Sequence, residues 1–242
     1  MQKYFKEFHS YVENRIEKFN MTQFENLNSA ADLIIHSITS NGKFYVTGTG
    51  HSHMIAEEFY ARAGGFAQVY PILPSEFMLH EHPRKSTEVE RIEDYAKVIM
   101  HLYKVKQGDI LLIASNSGRN GMIVELAKLA QETGVKVIAF TNPRRPEEEK
   151  SRHSSGKYLF QYSDIVIDNC TGEGDAAFYV EEACTCMGAV STIIGAYTAQ
   201  FISILLAKKL ALKGIIPPVF KSSNIDGGDE WNRSMFEKYY GV

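Results

Sequence analysis

The sequence predicts a doubly wound α/β fold, in which a mainly parallel five-stranded sheet is flanked by helices. Short apolar runs alternate along the chain with segments of helical periodicity, which is the order that gives a parallel sheet covered on both faces. Two of these runs, starting at Lys43 and Asp109, pass through a Gly-rich or Ser-rich turn directly into a helix. In such folds ligands bind beyond the carboxyl ends of the strands, where both turns fall.

The chain opens with two amphipathic segments, residues 4–19 and 24–38, whose apolar side chains recur every three or four positions,. Asn41-Gly42 ends the second segment,. We therefore expect a pair of N-terminal helices over residues 1–41 and an α/β domain over residues 42–242.

The remaining elements follow from the same patterns. Continuous apolar runs predict buried strands, and three-to-four spacing predicts helices. A polar stretch with two prolines, residues 142–155, predicts a mobile surface loop,. The strands are expected at 43–47, 69–73, 109–114, 135–141 and 164–168, and the helices at 52–63, 90–103, 120–133 and 178–213.

Composition narrows the class of protein. The 242 residues are 44% hydrophobic and 23% charged, as in an ordinary globular domain. A net charge of −3 argues against a nucleic-acid partner, which would favour a basic surface. Three cysteines without zinc-type spacing and a first segment without an apolar signal core predict a cytoplasmic protein.

Residues 187–207 contain no charged side chain and are long enough to span a bilayer,. The same stretch holds several Ser, Thr, Tyr and Gln residues, and small residues suited to close helix packing. We expect a buried helix rather than a membrane span.

The turn after the third strand predicts an anion site. Ser115, Asn116, Ser117 and Asn120 lie between a buried strand and a helix, where unpaired backbone N–H groups and the helix dipole attract negative charge. An ordinary helix cap is the alternative, but a cap needs only one such residue. Four of them within six positions favour a ligand with several oxygen atoms.

The turn after the first strand, Gly48-Thr-Gly-His-Ser52, lets the backbone approach a ligand closely,. It is not a nucleotide motif. His53 stands where a dinucleotide fingerprint needs a third small residue, and the Gly-Lys-Ser/Thr of a P-loop is absent,.

Together the two turns resemble those of the SIS (sugar isomerase) domain, which binds phosphosugars, over roughly residues 41–213. Segments 152–157 and 224–232 also resemble motifs of one group of phosphosugar-binding SIS proteins related to phosphoheptose isomerases. The resemblance implies a phosphosugar ligand and favours aldose–ketose isomerisation. A non-catalytic phosphosugar sensor and an amino-sugar-phosphate lyase or etherase are the alternatives. The expected phosphosugar ligands are Gly50, Ser52, His53, Ser115, Asn116, Ser117 and Asn120.

Isomerisation needs a group that moves a proton between adjacent carbons, and Glu58, Glu76 and His80 are the candidates. Glu58 alternatively forms a surface ion pair with Arg62, four residues later. Phosphoheptose isomerases align their catalytic Glu with Arg62, one His with Glu58 and a second His with Gly195, so this chain lacks their residues. Segment 75–82, which contains Glu76, His80 and His82, resembles the part that arabinose-phosphate isomerases place beside the sugar.

Other polar residues leave alternatives open. His51-x-His53 and His80-x-His82 suit a metal, but no carboxylate spacing completes a known site, and we expect neither metal nor cofactor. His153 is a site residue or a solvated histidine of the polar loop. The acidic residues Glu173, Asp175, Asp226 and Asp229 bind sugar hydroxyls or form caps and turns,.

The sequence also predicts a homodimer or homotetramer. The first helix carries the aromatic stripe Tyr4, Phe5, Phe8 and Tyr11, and residues 187–207 are too apolar for one sheet face alone. Apolar patches of this size usually form interfaces. In SIS relatives a neighbouring chain completes the site, which implies His53 or His153 as contributed residues.

Overall fold

A computed structural model describes residues 1–144, 146, 148–172 and 174–242. Its sheet has the strand order β2-β1-β3-β4-β5 with every neighbouring pair parallel, which confirms the predicted doubly wound α/β fold. The strands are β1 (Phe44–Gly48), β2 (Val69–Ile72), β3 (Ile110–Ala114), β4 (Lys136–Thr141) and β5 (Ile165–Asp168).

Helices cover both faces of the sheet. They are α1 (Gln2–Thr39), α2 (His53–Phe59), α3 (Lys85–Val89), α4 (Tyr95–Tyr103), α5 (Gly121–Glu132), α6 (Ser191–Leu212) and α7 (Gly228–Tyr240). One face of the sheet packs against α1, α2 and α6, and the other against α4 and α5. Because successive side chains of a strand point to opposite faces, Phe44 and Val46 join the first core and Tyr45 joins the second.

The predicted N-terminal helical pair is wrong, because α1 is a single helix of 38 residues. Residues 20–23 interrupt the apolar stripe but include no Gly or Pro that would break the backbone,. The second half of α1 lies in the core, with Leu27, Ala30 and Ile34 buried. The domain boundary at residue 41 stays a prediction.

The predicted helix over residues 178–213 is also wrong in its first third. An antiparallel hairpin, β6 (Phe178–Val180) and β7 (Thr185–Met187), precedes α6. Cys184 adopts a left-handed conformation in its turn, and the ring of Phe178 packs against the aromatic stripe of α1. Phe178 thus packs on α1, whereas most of residues 179–187 are exposed.

Helix α6 is long and apolar enough to cross a membrane by length and composition alone. In this fold it packs against α1 and α2, and 44% of its most apolar window is buried. This burial is that of a core helix, as expected from its small and polar residues.

Three further boundaries differ from the predictions. Helix α2 ends at Phe59 instead of residue 63. Ala61 has a φ of 51°, a left-handed conformation that an α-helix cannot contain. The predicted helix over 90–103 is only α4, which follows the short α3. Helix α7 was not predicted at all; the Trp231 indole anchors it by donating to the Val219 carbonyl oxygen at 2.8 Å.

Candidate functional site

The two Ser-bearing loops begin side by side. Strands β1 and β3 are neighbours, and their register pairs Gly48 with Ala114, the last residue of each strand. The chain leaves β1 towards β2 on one side, whereas β3 leads to β4 on the other. This reversal is the topological switch point, where open α/β sheets bind their ligands.

The first loop requires glycine at Gly48. A Cβ atom there would lie 3.0 Å from the Ala114 carbonyl oxygen and closer still to the backbone of Ser52. The loop then turns through Gly50 in a left-handed conformation. His53 is buried and donates its Nδ1–H to the Gly50 carbonyl oxygen, so it fixes the turn. Ser52 is half-buried, and its hydroxyl caps no N–H of α2.

The second loop is held by a hydrogen bond within it and by hydrogen bonds from residues later in the chain. The Gly118 N–H donates to Ser115 Oγ at 3.1 Å, and Gly118 has a φ of 56°. The carbonyl oxygens of Asn116, Gly118 and Arg119 accept N–H groups from Asn142, Leu159 and Arg152. Asn142, Arg152 and Leu159 therefore fix the loop, and Ser117 is left half-buried at its surface.

Hydrogen bonds orient the side chains of both asparagines in this loop. Asn116 Oδ1 accepts from Asn169 Nδ2 at 2.7 Å and from Thr171 Oγ1 at 3.0 Å. Asn120, the residue before α5, accepts from Arg152 Nη1 at 2.9 Å through its Oδ1 and makes no capping bond. An anion would meet these residues through their N–H groups rather than through their amide oxygens, which repel it.

Glu90 connects the first loop to the first turn of α5, although the sequence did not single it out. Its Oε2 accepts from the Thr49 hydroxyl of the first loop at 2.8 Å, and its carbonyl oxygen accepts the Met122 N–H of α5 at 3.0 Å. Burial raises the pKa of the Glu90 carboxyl, which the Thr49 hydrogen bond and the positive charges of Arg152 and Arg91 only partly offset. A carboxylate held in this way is suited to acid–base chemistry.

His153 is buried, which contradicts its interpretation as a solvated histidine. Its Nε2 lies 2.8 Å from Glu125 Oε2 and 3.6 Å from Glu93 Oε2. Burial raises the pKa of Glu125, but the hydrogen bonds from His153 and Lys128 outweigh it and lower the pKa overall.

Glu93, Glu125 and His153 place their ligand atoms within 4.8 Å of one another, close enough to hold a metal ion. The hydrogen bonds indicate another role. The Ser155 N–H donates to Nδ1 of His153 at 3.1 Å, so that nitrogen acts as an acceptor. The proton then sits on Nε2 and is donated to Glu125, where a metal would have to displace it.

Two of the three candidate acid–base residues are engaged by side chains outside the Ser-bearing loops. Glu58, near the end of α2, is bound by Arg62 and by Gln200 Nε2 at 2.6 Å, as the ion-pair alternative expected. Glu76 follows β2 and lies 3.7 Å from Lys85. His80 is exposed. Glu76 and His80 share the carboxyl edge of the sheet with the loops, one strand further out.

The acidic turn near residue 175 forms a helix cap. Asp175 Oδ1 accepts the Val190 and Ser191 N–H groups at 3.0 and 2.8 Å, and Oδ2 accepts the Ser191 hydroxyl at 2.7 Å. Its carboxylate is therefore committed to the start of α6. Glu173 lies outside the described residues.

The fold and the paired loops define a doubly wound α/β protein with a candidate anion site at its switch point. The family model described as SIS domain matches residues 7–142, so the chain belongs to the SIS domain family. Among curated proteins it is 45% identical over 227 residues to a UPF0309 protein from Halalkalibacterium halodurans, covering 93% of this chain and 94% of the relative.

Solved structures share the fold at low identity. A phosphoheptose isomerase from Neisseria gonorrhoeae has a TM-score of 0.56 and 15% identity, covering 86% of this chain and 98% of its own. The Vibrio vulnificus NanR protein complexed with ManNAc-6P has a TM-score of 0.54 and 14% identity. This match covers 98% of this chain and 67% of the NanR chain. At these identities the likeness concerns the fold.

Proposed function

We propose that the protein binds a phosphorylated sugar between the ends of β1 and β3 and interconverts its aldose and ketose forms. The observation that carries the proposal is the pair of Ser-bearing loops at the switch point, with Glu90 connecting the first loop to the start of α5. The neighbouring phosphoheptose isomerase and the NanR complex with a sugar phosphate support the ligand class.

The phosphate would lie at the start of α5. The Ser117 and Ser115 hydroxyls supply neutral donors, as do the Gly121 and Ile123 N–H groups in the first turn of this 12-residue helix, since the Met122 N–H is already bound to Glu90. The helix dipole adds positive potential. Ser52 would close the site from the first loop, with Gly50 and His53 shaping that loop. Asn116 and Asn120 complete the proposed set.

A base in this site would transfer a proton between the carbonyl carbon and its neighbour through an enediol. Glu90 becomes the first candidate, since it touches the first loop through Thr49 and its raised pKa brings proton exchange closer to neutrality,. Glu58, which follows β1, and Glu76 and His80, which follow β2, remain candidates.

The test is turnover of a panel of aldose and ketose phosphates, followed by NMR. We expect Glu90→Gln to lower turnover by about a hundredfold or more while phosphosugar binding persists. Glu58→Gln and Glu76→Gln are the parallel variants. Full activity in Glu90→Gln, with loss in either of the others, would move the base to that residue.

A phosphosugar sensor is the second candidate function, and Gly195 favours it. A Cβ there would press into the Ile55 side chain and lie 3.4 Å from the Phe140 ring, so this position has no room for the histidine of phosphoheptose isomerases. A phosphosugar-induced rise in melting temperature without turnover would support the sensor. Elimination products from an amino-sugar phosphate would instead indicate the lyase or etherase.

Assembly as a homodimer or homotetramer is proposed on the surface of α1. An open apolar groove of about 1020 Å³ runs along it, lined by residues that include Phe5, Phe8, Val12, Met21 and Ile193. Phe5 and Met21 are 73% and 80% exposed. A cytoplasmic location, with neither nucleic-acid nor membrane partners, also remains a prediction.

A further inference from the structure

Segment 151–155 is held against the second loop by three successive residues. The Arg152 N–H donates to the Arg119 carbonyl oxygen at 2.8 Å. The His153 side chain is buried on Glu125. The Ser154 N–H and hydroxyl each donate to the Glu93 carboxylate at 2.7 Å. Contacts from α5 and from the residues before α4 thus fix this short segment.

This anchoring presents the Arg152 guanidinium at the start of α5. One of its five N–H donors reaches Asn120 Oδ1 at 2.9 Å, while the residue as a whole stays exposed. Its charge also acts on Glu90. Arg152 therefore contacts the second loop directly and lies near enough to Glu90 for its charge to oppose the rise in the pKa of that carboxyl.

A phosphate dianion needs more than neutral donors, because the helix end offers only about half a positive charge. Arginine supplies a full charge and a planar fork that matches phosphate oxygens. Two other cations near this loop have carboxylate partners: Lys128 Nζ lies 3.1 Å from Glu125 Oε2, and Arg119 Nη1 lies 3.5 Å from Glu149 Oε2.

We propose that Arg152 is the cationic ligand of the phosphate group, and that the cluster of His153, Glu125 and Glu93 is the lock that positions it. This inference rests on the proposed phosphosugar site and names its charge partner. Arg152 would bind the phosphate; the three cluster residues are positioning residues that act through it.

Isothermal titration calorimetry with fructose 6-phosphate and with inorganic phosphate tests the ligand role. Arg152→Gln should weaken binding of both about tenfold or more, with Arg152→Lys intermediate. The salt dependence of the affinity should also fall, since a screened charge is lost. Lys157→Gln is the matched control. It removes an exposed cation, five residues after Arg152, that lies over the Tyr162 ring, and it should leave binding unchanged.

A double-mutant cycle tests the lock. Glu125→Gln and His153→Gln should each weaken binding, but neither should weaken it further in an Arg152→Gln background. Additive losses would overturn the lock, because a purely structural effect would not depend on Arg152. Glu93→Gln, at a less buried position, serves if the more buried variants fail to fold, as judged by circular dichroism.

The outcomes separate this inference from the proposed function. If neither fructose 6-phosphate nor any other hexose phosphate binds the unmodified protein, the proposed site fails. If the unmodified protein binds and Arg152→Gln binds equally well, only the role of Arg152 fails. An affinity that requires added zinc and disappears in EDTA would replace the lock with a metal site on the same three side chains.

Discussion

Glu90 is held in a place that disfavours its own charge. Burial raises its pKa, and Thr49 with the two arginines offsets only part of that cost. In the unfolded chain the carboxyl ionises in its ordinary range near pH 4.3. The folded protein is therefore favoured while Glu90 is protonated, and this contribution is lost as the pH rises through the raised pKa.

Replacing Glu90 with Gln should consequently stabilise the protein at neutral pH. The amide keeps an acceptor for the Thr49 hydroxyl but never ionises. We expect equal melting temperatures for variant and parent below pH 4, and a higher melting temperature for the variant at pH 7. Thermal denaturation followed by circular dichroism across this range measures the difference; a less stable variant at pH 7 would contradict it.

Gly118 and Gly50 form a matched pair, because both have a φ of 56°. At Gly118 a Cβ would lie 2.8 Å from Thr141 Oγ1 and 3.2 Å from Leu159 Cβ, whereas at Gly50 nothing lies within 4 Å. Gly50→Ala should cost about 1–2 kcal/mol for the left-handed backbone. Gly118→Ala should cost about 1–3 kcal/mol more for the clash. Urea unfolding measures both, and equal losses would show that Thr141 and Leu159 move aside.

At the scale of the element, Asp175 starts α6 from 15 residues away. It takes two backbone N–H groups and one hydroxyl that the first turn of the helix cannot satisfy by itself,. The hairpin β6–β7 lies in the chain between Asp175 and α6, the helix that this carboxylate caps. The cap therefore joins the hairpin to the core.

Asp175→Ala should lower the free energy of unfolding by about 1–3 kcal/mol, because buried N–H groups lose their acceptor. Asp229→Ala is the control. This exposed carboxylate in the first turn of α7 interacts mainly with the helix dipole, at about 0.3–1 kcal/mol. Similar losses for the two variants in chemical denaturation would mean that the cap contributes little.

The elements that the sequence predicted well are those with one simple pattern. The five strands are continuous apolar runs, and both Ser-bearing loops follow directly from them. Residues 178–187 misled the prediction because apolar content alone does not distinguish a helix from a hairpin that places Phe178 on α1.

The candidate site could be predicted only in part. Ser115 and Ser117 could be proposed from the sequence because they lie in a local motif. Glu90 and Arg152 reach the site from chain positions 41 residues beyond Thr49 and 32 residues beyond Asn120. No local spacing links such residues; only the fold brings their charges to the loops.

At the scale of the whole molecule, the exposed groove of α1 predicts association. Its side chains would gain about 25 cal/mol for each Å² of apolar surface removed from water. Light scattering at micromolar concentration should therefore give at least twice the 27.3 kDa of one chain. Phe5→Glu with Met21→Glu should lower the mass towards that of one chain, and a monomeric parent protein would contradict the proposal.

The central claim is that a sugar phosphate binds where β1 and β3 diverge, and a crystal structure with fructose 6-phosphate tests it most directly. The account predicts phosphate oxygens within hydrogen-bond distance of Ser117 Oγ and the first N–H groups of α5, with the sugar extending towards Glu90. A phosphate bound elsewhere, with these loops unoccupied at saturating ligand, would contradict the account.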